Sequence, residues 1–404
     1  MKDVLRKLRI PGPTFRKILF LVLFFLPMLL TFLIVFTGQR DVSVRENRTL
    51  TKLPVFSADA FGESTFQDDL EKALIDQWPL AEEVKGAALD GKNALMQFQQ
   101  RILYALKPDL KTAYSMIAEG YYHYREDEHR IVEKPKDLSK EQAHLESLAE
   151  NVNAADADVY VYFIENSRAV DFDQPDPGHP VYHRILEAIA PAAADLFAVP
   201  DYDAYCRDFY QTDHHWTIDG AYKGYQAIYR LLHGTEEGMI GPGELIRTDA
   251  VFQGAYARQT HILCADETFS LRVFDLPSFS TQINGRRKAY GNQKMYQSGR
   301  YSRDELTNHY ANCFGGDHGE IVYDFGTEGK GNLLIVASSY SNPINALIAA
   351  GYDRTFVIDL RYYEAYANHP FDTAEYCREN DIHKILLLGD VNLFYVDGPE
   401  SGVE

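Results

Sequence analysis

Four short apolar runs constrain what this chain can fold into. Residues 158–164 (DVYVYFI), 332–337 (NLLIVA), 355–360 (TFVIDL) and 384–388 (KILLL) are almost continuously hydrophobic. A strand with one wet face alternates apolar and polar residues, whereas an unbroken apolar run is covered on both faces. Between and around these runs lie segments that read as helices. They are 139–153, with Ser139 as N-cap and Glu141 close behind it, 182–196, 217–232 capped by Thr217, 343–350 and 373–380. Buried strands alternating with helices predict the α/β class: a three-layer α/β/α domain with a mainly parallel sheet. A hydrophobic share of 46% against 25% charged residues suits so large a core.

Residues 18–36 (ILFLVLFFLPMLLTFLIVF) carry no charge over nineteen positions. As a helix they span roughly 28 Å, close to the hydrocarbon thickness of a bilayer. Pro27 is tolerated better there than in a soluble helix. Lys2, Arg6, Lys7, Arg9, Arg16 and Lys17 precede the run, offset only by Asp3, which places the N-terminus in the cytoplasm. The following TGQRD offers no small-x-small cleavage site, so an uncleaved anchor is expected rather than a signal peptide. The expected organisation is a cytoplasmic tail (1–17), one transmembrane helix (18–36), an extracytoplasmic helical stalk (37–105) and a main domain (106–404), with a hairpin within 116–132. The formal charge of −19 speaks against nucleic acid as a partner. Cys206, Cys264, Cys313 and Cys377 stand in no metal-binding spacing, so no zinc is expected; disulfides and buried free thiols are both compatible with them.

Two places carry residues suited to chemistry. In FYQTDHHWTIDG (209–220), Asp213 and His215 lie two apart at the mouth of a helix, and in extended backbone such positions share a side. A carboxylate there can hold an imidazole in one tautomer, as a hydrolase triad requires; Asp213 as a local helix cap satisfies the same pattern. In LLIVASSYSNP (333–343), an apolar strand runs into Ser338, Ser339, Tyr340 and Ser341 before a helix. Open α/β sheets bind ligands at the carboxyl ends of their strands; a strand-to-helix loop with serine caps is the ordinary alternative.

The string Thr212-Asp213-His214-His215-Trp216-Thr217 resembles the hallmark of the bacterial DHHW family, which is similar to the alginate O-acetylation proteins with their SGNH-hydrolase-like domain. ENRTLTKLP, GGDHGEIV, SSYSNPINALIAAGY and VIDLRYY resemble further family segments, in family order. The resemblance implies Ser339 as nucleophile, His215 as general base and Asp213 as the residue orienting it. Relatives place Asp or Gly-Thr before the serine, where this chain has Ala337-Ser338; Ser338 is suited either to the role of a small polar residue there or to that of the reactive hydroxyl itself. Gly254 and Asn392 are candidates for the oxyanion hole. Arg361 and Tyr340 are candidate substrate contacts, Arg361 being equally suited to an ion pair. Adjacent histidines of an extended chain point apart, so His214 is expected to pack rather than ligate, and no metal or other cofactor is expected. The implied function is extracytoplasmic O-acetyl transfer to, or acetyl removal from, a polysaccharide or cell-wall glycan, with a multi-spanning membrane acyltransferase as partner. A non-catalytic glycan-binding or scaffold protein of an assembly or export complex is the alternative.

Overall fold

The structure is a computed structural model. It describes residues 142–395 apart from 173–175, 257–266 and 304–306, and short stretches before them: 42–43, 48–54, 70, 73–74, 77, 122–125, 130–133 and 138. The chain divides into two units, residues 1–92 and 93–404. In the first, β1 (Val42–Ser43) pairs antiparallel with β2 (Arg48–Thr49), and Gln77 Nε2 donates to the Thr51 carbonyl at 3.0 Å. The expected anchor at 18–36 lies outside the described residues, among which no helix is long and apolar enough to cross a membrane.

The second unit opens with the expected hairpin, β3 (Tyr122–Arg125) against β4 (Arg130–Glu133). Then follow α1 (Gln142–Asn153), β5 (Asp158–Ile164), α2 (Pro180–Ile189), β6 (Ala193–Phe197), α3 (Tyr202–Asp208), α4 (Ile218–His233), β7 (Glu244–Val251), β8 (Thr268–Val273), β9 (Ser280–Ile283) and β10 (Arg286–Arg287). The remainder comprises α5 (Gln293–Gln297), α6 (His309–Phe314), β11 (Glu320–Asp324), β12 (Asn332–Ala337), a 3-10 turn (Ser339–Ser341), α7 (Asn345–Ala349), β13 (Arg354–Ile358), α8 (Leu360–Ala367), α9 (Thr373–Glu379), β14 (Ile382–Gly389) and α10 (Val391–Tyr395).

Eight strands form one mixed sheet in the order β10-β9-β11-β13-β12-β14-β5-β6. The run β13-β12-β14-β5-β6 is parallel, and β11, β9 and β10 add an antiparallel edge. All four apolar runs lie in the parallel part. Their alternate residues feed two cores. Leu333, Ile335 and Ala337 of β12, with Leu386 and Leu388 of β14, pack on one face with Tyr225, Ile228 and Leu232 of α4. Leu334, Val336, Ile385 and Leu387 pack on the other with Leu145 and Leu148 of α1 and Ile185 of α2. A third cluster joins the β7–β8 hairpin to α6 through Phe252, Phe269, Leu271, Tyr310 and Phe314.

One expected helix is corrected. The segment 182–196 stops at Ala190, whose φ is +48°, and continues as edge strand β6. Pro191 removes the next backbone donor, and β5 offers a free edge for pairing. The chain leaving β12 runs to β13 on one side, whereas that leaving β5 runs to β6 on the other. The carboxyl ends of the central strands therefore border the crevice where doubly wound sheets place ligands.

Candidate active site

The segment between α3 and α4 is a tight reversal. Phe209 bridges Trp216, the Tyr210 N–H donates to the His215 carbonyl at 3.0 Å, and the Thr217 N–H to the Asp208 carbonyl at 2.8 Å. Thr217 caps α4 as expected, its side chain accepting from the Gly220 N–H. Trp216 is fully buried beneath the reversal, edge-on to Phe197 and Tyr340. A Cβ on Gly224 would come within 2.6 Å of the Trp216 ring, and one on Gly220 within 2.3 Å of the Asp208 carbonyl oxygen. Glycine at both positions of α4 thus admits the indole and the returning backbone.

Asp213, 1% exposed, faces inward. Its Oδ1 accepts from the His215 backbone N–H at 3.0 Å and from His215 Nδ1 at 2.6 Å; Oδ2 accepts from the Ala255 N–H at 2.7 Å. With Nδ1–H committed to the carboxylate, Nε2 of the neutral ring is an acceptor. It stands 2.7 Å from Ser339 Oγ. Ser339, Asp213 and His215 are brought together across 124 residues of sequence. Tyr310 of α6 lies flat on the imidazole, centroids 3.9 Å apart and planes 17° apart, and its hydroxyl donates to the Ser339 carbonyl at 3.1 Å. Burial, with nearby phenols and carboxylates, raises the Tyr310 phenol well above its usual range. It stays a neutral donor.

The serines following β12 separate by role. Ser339 is half-buried at the start of the 3-10 turn. Ser338, 8% exposed, packs beneath: its Oγ has no hydrogen-bond partner among the described residues and lies 3.1 Å from where a Cβ on Gly389 would sit. Ser341, 1% exposed, turns back to donate to the Ser338 carbonyl.

The other expected site residues are placed as follows. Gly254 does not offer its N–H to an oxyanion, because that group donates to Thr212 Oγ1 at 2.9 Å. A Cβ there would lie 2.3 Å from Asp213 Cβ, so the glycine lets the segment after β7 close over the carboxylate. Asn392 sits in α10 at the carboxyl end of β14, buried, its N–H donating to Asp390 Oδ1 at 3.2 Å. Tyr340 is 1% exposed and presents no ring to a ligand; its hydroxyl donates to the His214 carbonyl at 2.6 Å, and Trp216 Nε1 donates to its carbonyl at 3.0 Å. Arg361 takes the ion-pair alternative, bonded to Asp359 at 2.6 Å and Asp317 at 3.0 Å. The two histidines do not point apart: their rings lie 4.0 Å from centre to centre, because the reversal curls the backbone out of the extended form. Asp213, His214 and His215 therefore present ligand atoms within 4.8 Å of one another, although both nitrogens of His215 already face Asp213 and Ser339. Cys313 and Cys377 are free thiols, and Cys264 lies outside the described residues.

The residue types alone did not reveal what clamps the two loops. Asn166, just beyond β5, donates to the Tyr340 hydroxyl at 2.7 Å and to Asp390 Oδ2 at 2.8 Å, and Arg168 pairs with that oxygen at 3.0 Å. Glu267 accepts from the Gln211 and Thr212 N–H groups and from the Thr212 hydroxyl, fixing the base of the reversal. Asn166, Arg168 and Asp390 carry one legible signal: polar residues directly following apolar parallel strands lie at the ligand-binding end of a sheet.

No protein-family model and no curated protein matches the chain. Among solved structures, it is similar to that of Bacillus cereus PatB1 with a sulfonyl adduct: 18% identity, 68% of this chain and 96% of that one covered, TM-score 0.48. A DHHW family protein from Eubacterium siraeum has 15% identity, coverage of 68% and 91%, and a TM-score of 0.47. The O-acetyltransferase domain of Pseudomonas putida AlgJ has 12%, coverage of 71% and 94%, and 0.38.

Proposed function

We propose that this chain is a serine-dependent O-acetyltransferase or acetylesterase acting on a polysaccharide or cell-wall glycan outside the cytoplasm. The observation that carries the reading is the continuous relay Asp213–His215–Ser339, with contacts of 2.6 and 2.7 Å. In this reaction Ser339 Oγ attacks the acetyl carbonyl of a donor ester while its proton passes to His215 Nε2. Asp213 stabilises the imidazolium that forms. Collapse of the tetrahedral intermediate breaks the donor C–O bond, and His215 returns the proton to the departing oxygen. The acetyl-serine is then attacked by a sugar hydroxyl, or by water, whose proton His215 accepts; Ser339 leaves with that proton restored. The Ser339 N–H, at the first position of a helical turn where no intrahelical acceptor exists, is a candidate donor to the oxyanion.

The extracytoplasmic placement rests on the basic residues before the uncharged segment 18–36. For the transferase reading, the family resemblance implies a multi-spanning membrane acyltransferase as donor partner, since acetyl-CoA is cytoplasmic.

The test is incubation of the purified protein with an aryl acetate, with and without glycans, beside Ser339→Ala. Turnover lost in the variant, with a sulfonyl fluoride adduct found on Ser339 of the parent, is the expected result. A folded parent that takes no adduct on Ser338, Ser339 or Ser341 favours a non-catalytic glycan-binding or scaffold role.

A further inference from the structure

Beyond the serine, the carboxyl end of the sheet carries a second chemically distinct feature. The β9–β10 hairpin turns through Asn284 and Gly285, both at positive φ (+47° and +70°), the geometry of a tight two-residue turn. The tip is locked to its neighbour β11: the Asn284 N–H donates to the Glu320 carbonyl at 2.9 Å, and Asn284 Oδ1 accepts from the Glu320 N–H at 3.0 Å. Immediately after the tip come Arg286, Arg287 and Lys288, all exposed. Among the described residues none of the three pairs with a carboxylate, in a chain of net charge −19.

Strand register fixes where this basic tip lies. Ile283 pairs with Ile321, Ile321 with Val357, and Val357 with Ile335, so the turn after Ile283 stands at the same end of the sheet as the turn after Ala337. Four strand spacings separate β10 from β12, about 19 Å. Arg286 pairs with Ile283 and shares its face, the face on which Ile321 joins the core beneath His215; Arg287 lies on the other. The carboxylates on the ground between already have partners. Asp317 is held by Arg361 and Asn342, and Glu320 accepts from the Tyr366 and Tyr376 hydroxyls. Lys288 lies near enough to His318 to add to the burial that lowers that imidazole below its usual range.

We infer that the Arg286–Arg287–Lys288 hairpin is a distal subsite for an anionic glycan, one that holds the acid groups of the chain while a hydroxyl further along it reaches Ser339. This rests on the proposed acyl transfer and names the acceptor as a charged polymer rather than a neutral one. Guanidinium forks suit carboxylate or phosphate oxygens. At physiological salt the Debye length is about 8 Å, so the rigid basic tip acts locally even though the whole molecule is acidic. A short glycan occupies either place; only one long enough to reach both gains from the two together.

The experiment measures binding by the full chain carrying Ser339→Ala, which separates recognition from turnover. The probes are oligogalacturonates of increasing length, a phosphorylated dextran and a neutral cello-oligosaccharide of matched length. The expected result is salt-dependent binding of an anionic glycan that strengthens once the oligomer spans the two turns. Combined Arg286→Gln and Arg287→Gln should weaken it about tenfold, with an unchanged thermal midpoint. Which anionic probe binds more tightly names the acid group. Equal binding of the neutral oligosaccharide, or no change in the double variant, overturns the proposal. So does arginine-dependent binding of phosphatidylglycerol vesicles in place of glycans. Sulfonyl fluoride labelling of Ser339 in the unsubstituted chain is read separately: labelling without arginine-dependent binding removes the subsite alone, and the converse removes the catalytic reading alone.

Discussion

The turn that carries Ser339 is held from two sides by arginines paired with carboxylates, and the two sides differ in how far they are closed to water. On the β5–β14 side, Arg168 meets Asp390, with side chains 3% and 1% exposed. On the β13–β11 side, Arg361 meets both Asp359 and Asp317, with side chains 18%, 9% and 22% exposed. The first network is sealed, and it reaches the site through neutral groups: Asn166, the Tyr340 hydroxyl and the His214 carbonyl. The second reaches the site through one amide, Asn342 Nδ2, which donates to Asp317 Oδ1 at 3.1 Å. A pair as deeply buried as Arg168 and Asp390 gives up little to solvent and tolerates the loss of a partner badly. A pair with a surplus carboxylate is less closed and has a group left to titrate.

The largest effect should follow from breaking the sealed side. Asp390→Ala takes the carboxylate away from Arg168, itself 3% exposed, and deprives Asn166 of an acceptor. The expected loss is about 3–5 kcal/mol of unfolding free energy, read from urea titration. A loss below that of Asp317→Ala would reverse the comparison.

The surplus carboxylate gives the second test. Burial, partly opposed by Arg361, pushes Asp359 up from 3.8 to about 6, and Asp317 adds to the rise. Arg361, beside both carboxylates, is held well above its own ordinary value and stays charged. With the folded value above the unfolded one, the native state binds a proton between about pH 4 and 6 that the unfolded chain has released. Stability from this group therefore increases as pH falls through that window, opposite to a carboxylate whose value is depressed. The change is on the order of 2–3 kcal/mol. Unfolding midpoints at pH 4.5 and 7 in the parent and in Asp359→Asn measure it: the variant should lack this contribution to the slope. An unaltered slope would show that Arg361 outweighs burial and that both sides behave as closed pairs.

The same contrast explains what the sequence disclosed. Four of the five parallel strands were legible because their apolar runs are unbroken and closed to water, and β5 and β12 have the expected limits, 158–164 and 332–337; the edge strand β6, part-exposed, was read as the end of a helix. The antiparallel edge, β9 to β11, was not, because Ser280–Ile283 and Arg286–Arg287 are short, part-exposed and set by a turn rather than by a run. Asp213, His215 and Ser339 were legible through a dense local string and a strand end. Tyr310, Asn166 and Asp390 reach the site only through tertiary folding, and nothing in YANCF (310–314) announces a ring laid on an imidazole. His214 was misplaced for a similar reason. Alternation holds for extended backbone, and the bridge between Phe209 and Trp216 bends this stretch.

The smallest effect, and the finest comparison, pits the last link on each side against the other. Tyr340→Phe removes a hydroxyl that accepts from Asn166 and donates to the His214 carbonyl, all buried where water does not reach. Asn342→Ala frees the Gly315 carbonyl and one oxygen of Asp317, which at 22% exposure can turn to water. An unsatisfied buried group costs about 1–3 kcal/mol, whereas a group that regains water costs less. Tyr340→Phe should therefore be the more destabilising of the two. Its catalytic consequence should also be distinct. The hydroxyl fixes the backbone between Asp213 and His215, so its loss should lower kcat for an aryl acetate while KM stays nearly constant, the pattern of an interaction felt in the transition state. Asn342→Ala, acting three residues beyond Ser339, should change kcat less. If both variants lower kcat equally at equal stability, the two sides hold the serine turn in the same way, and the difference in their burial concerns stability alone.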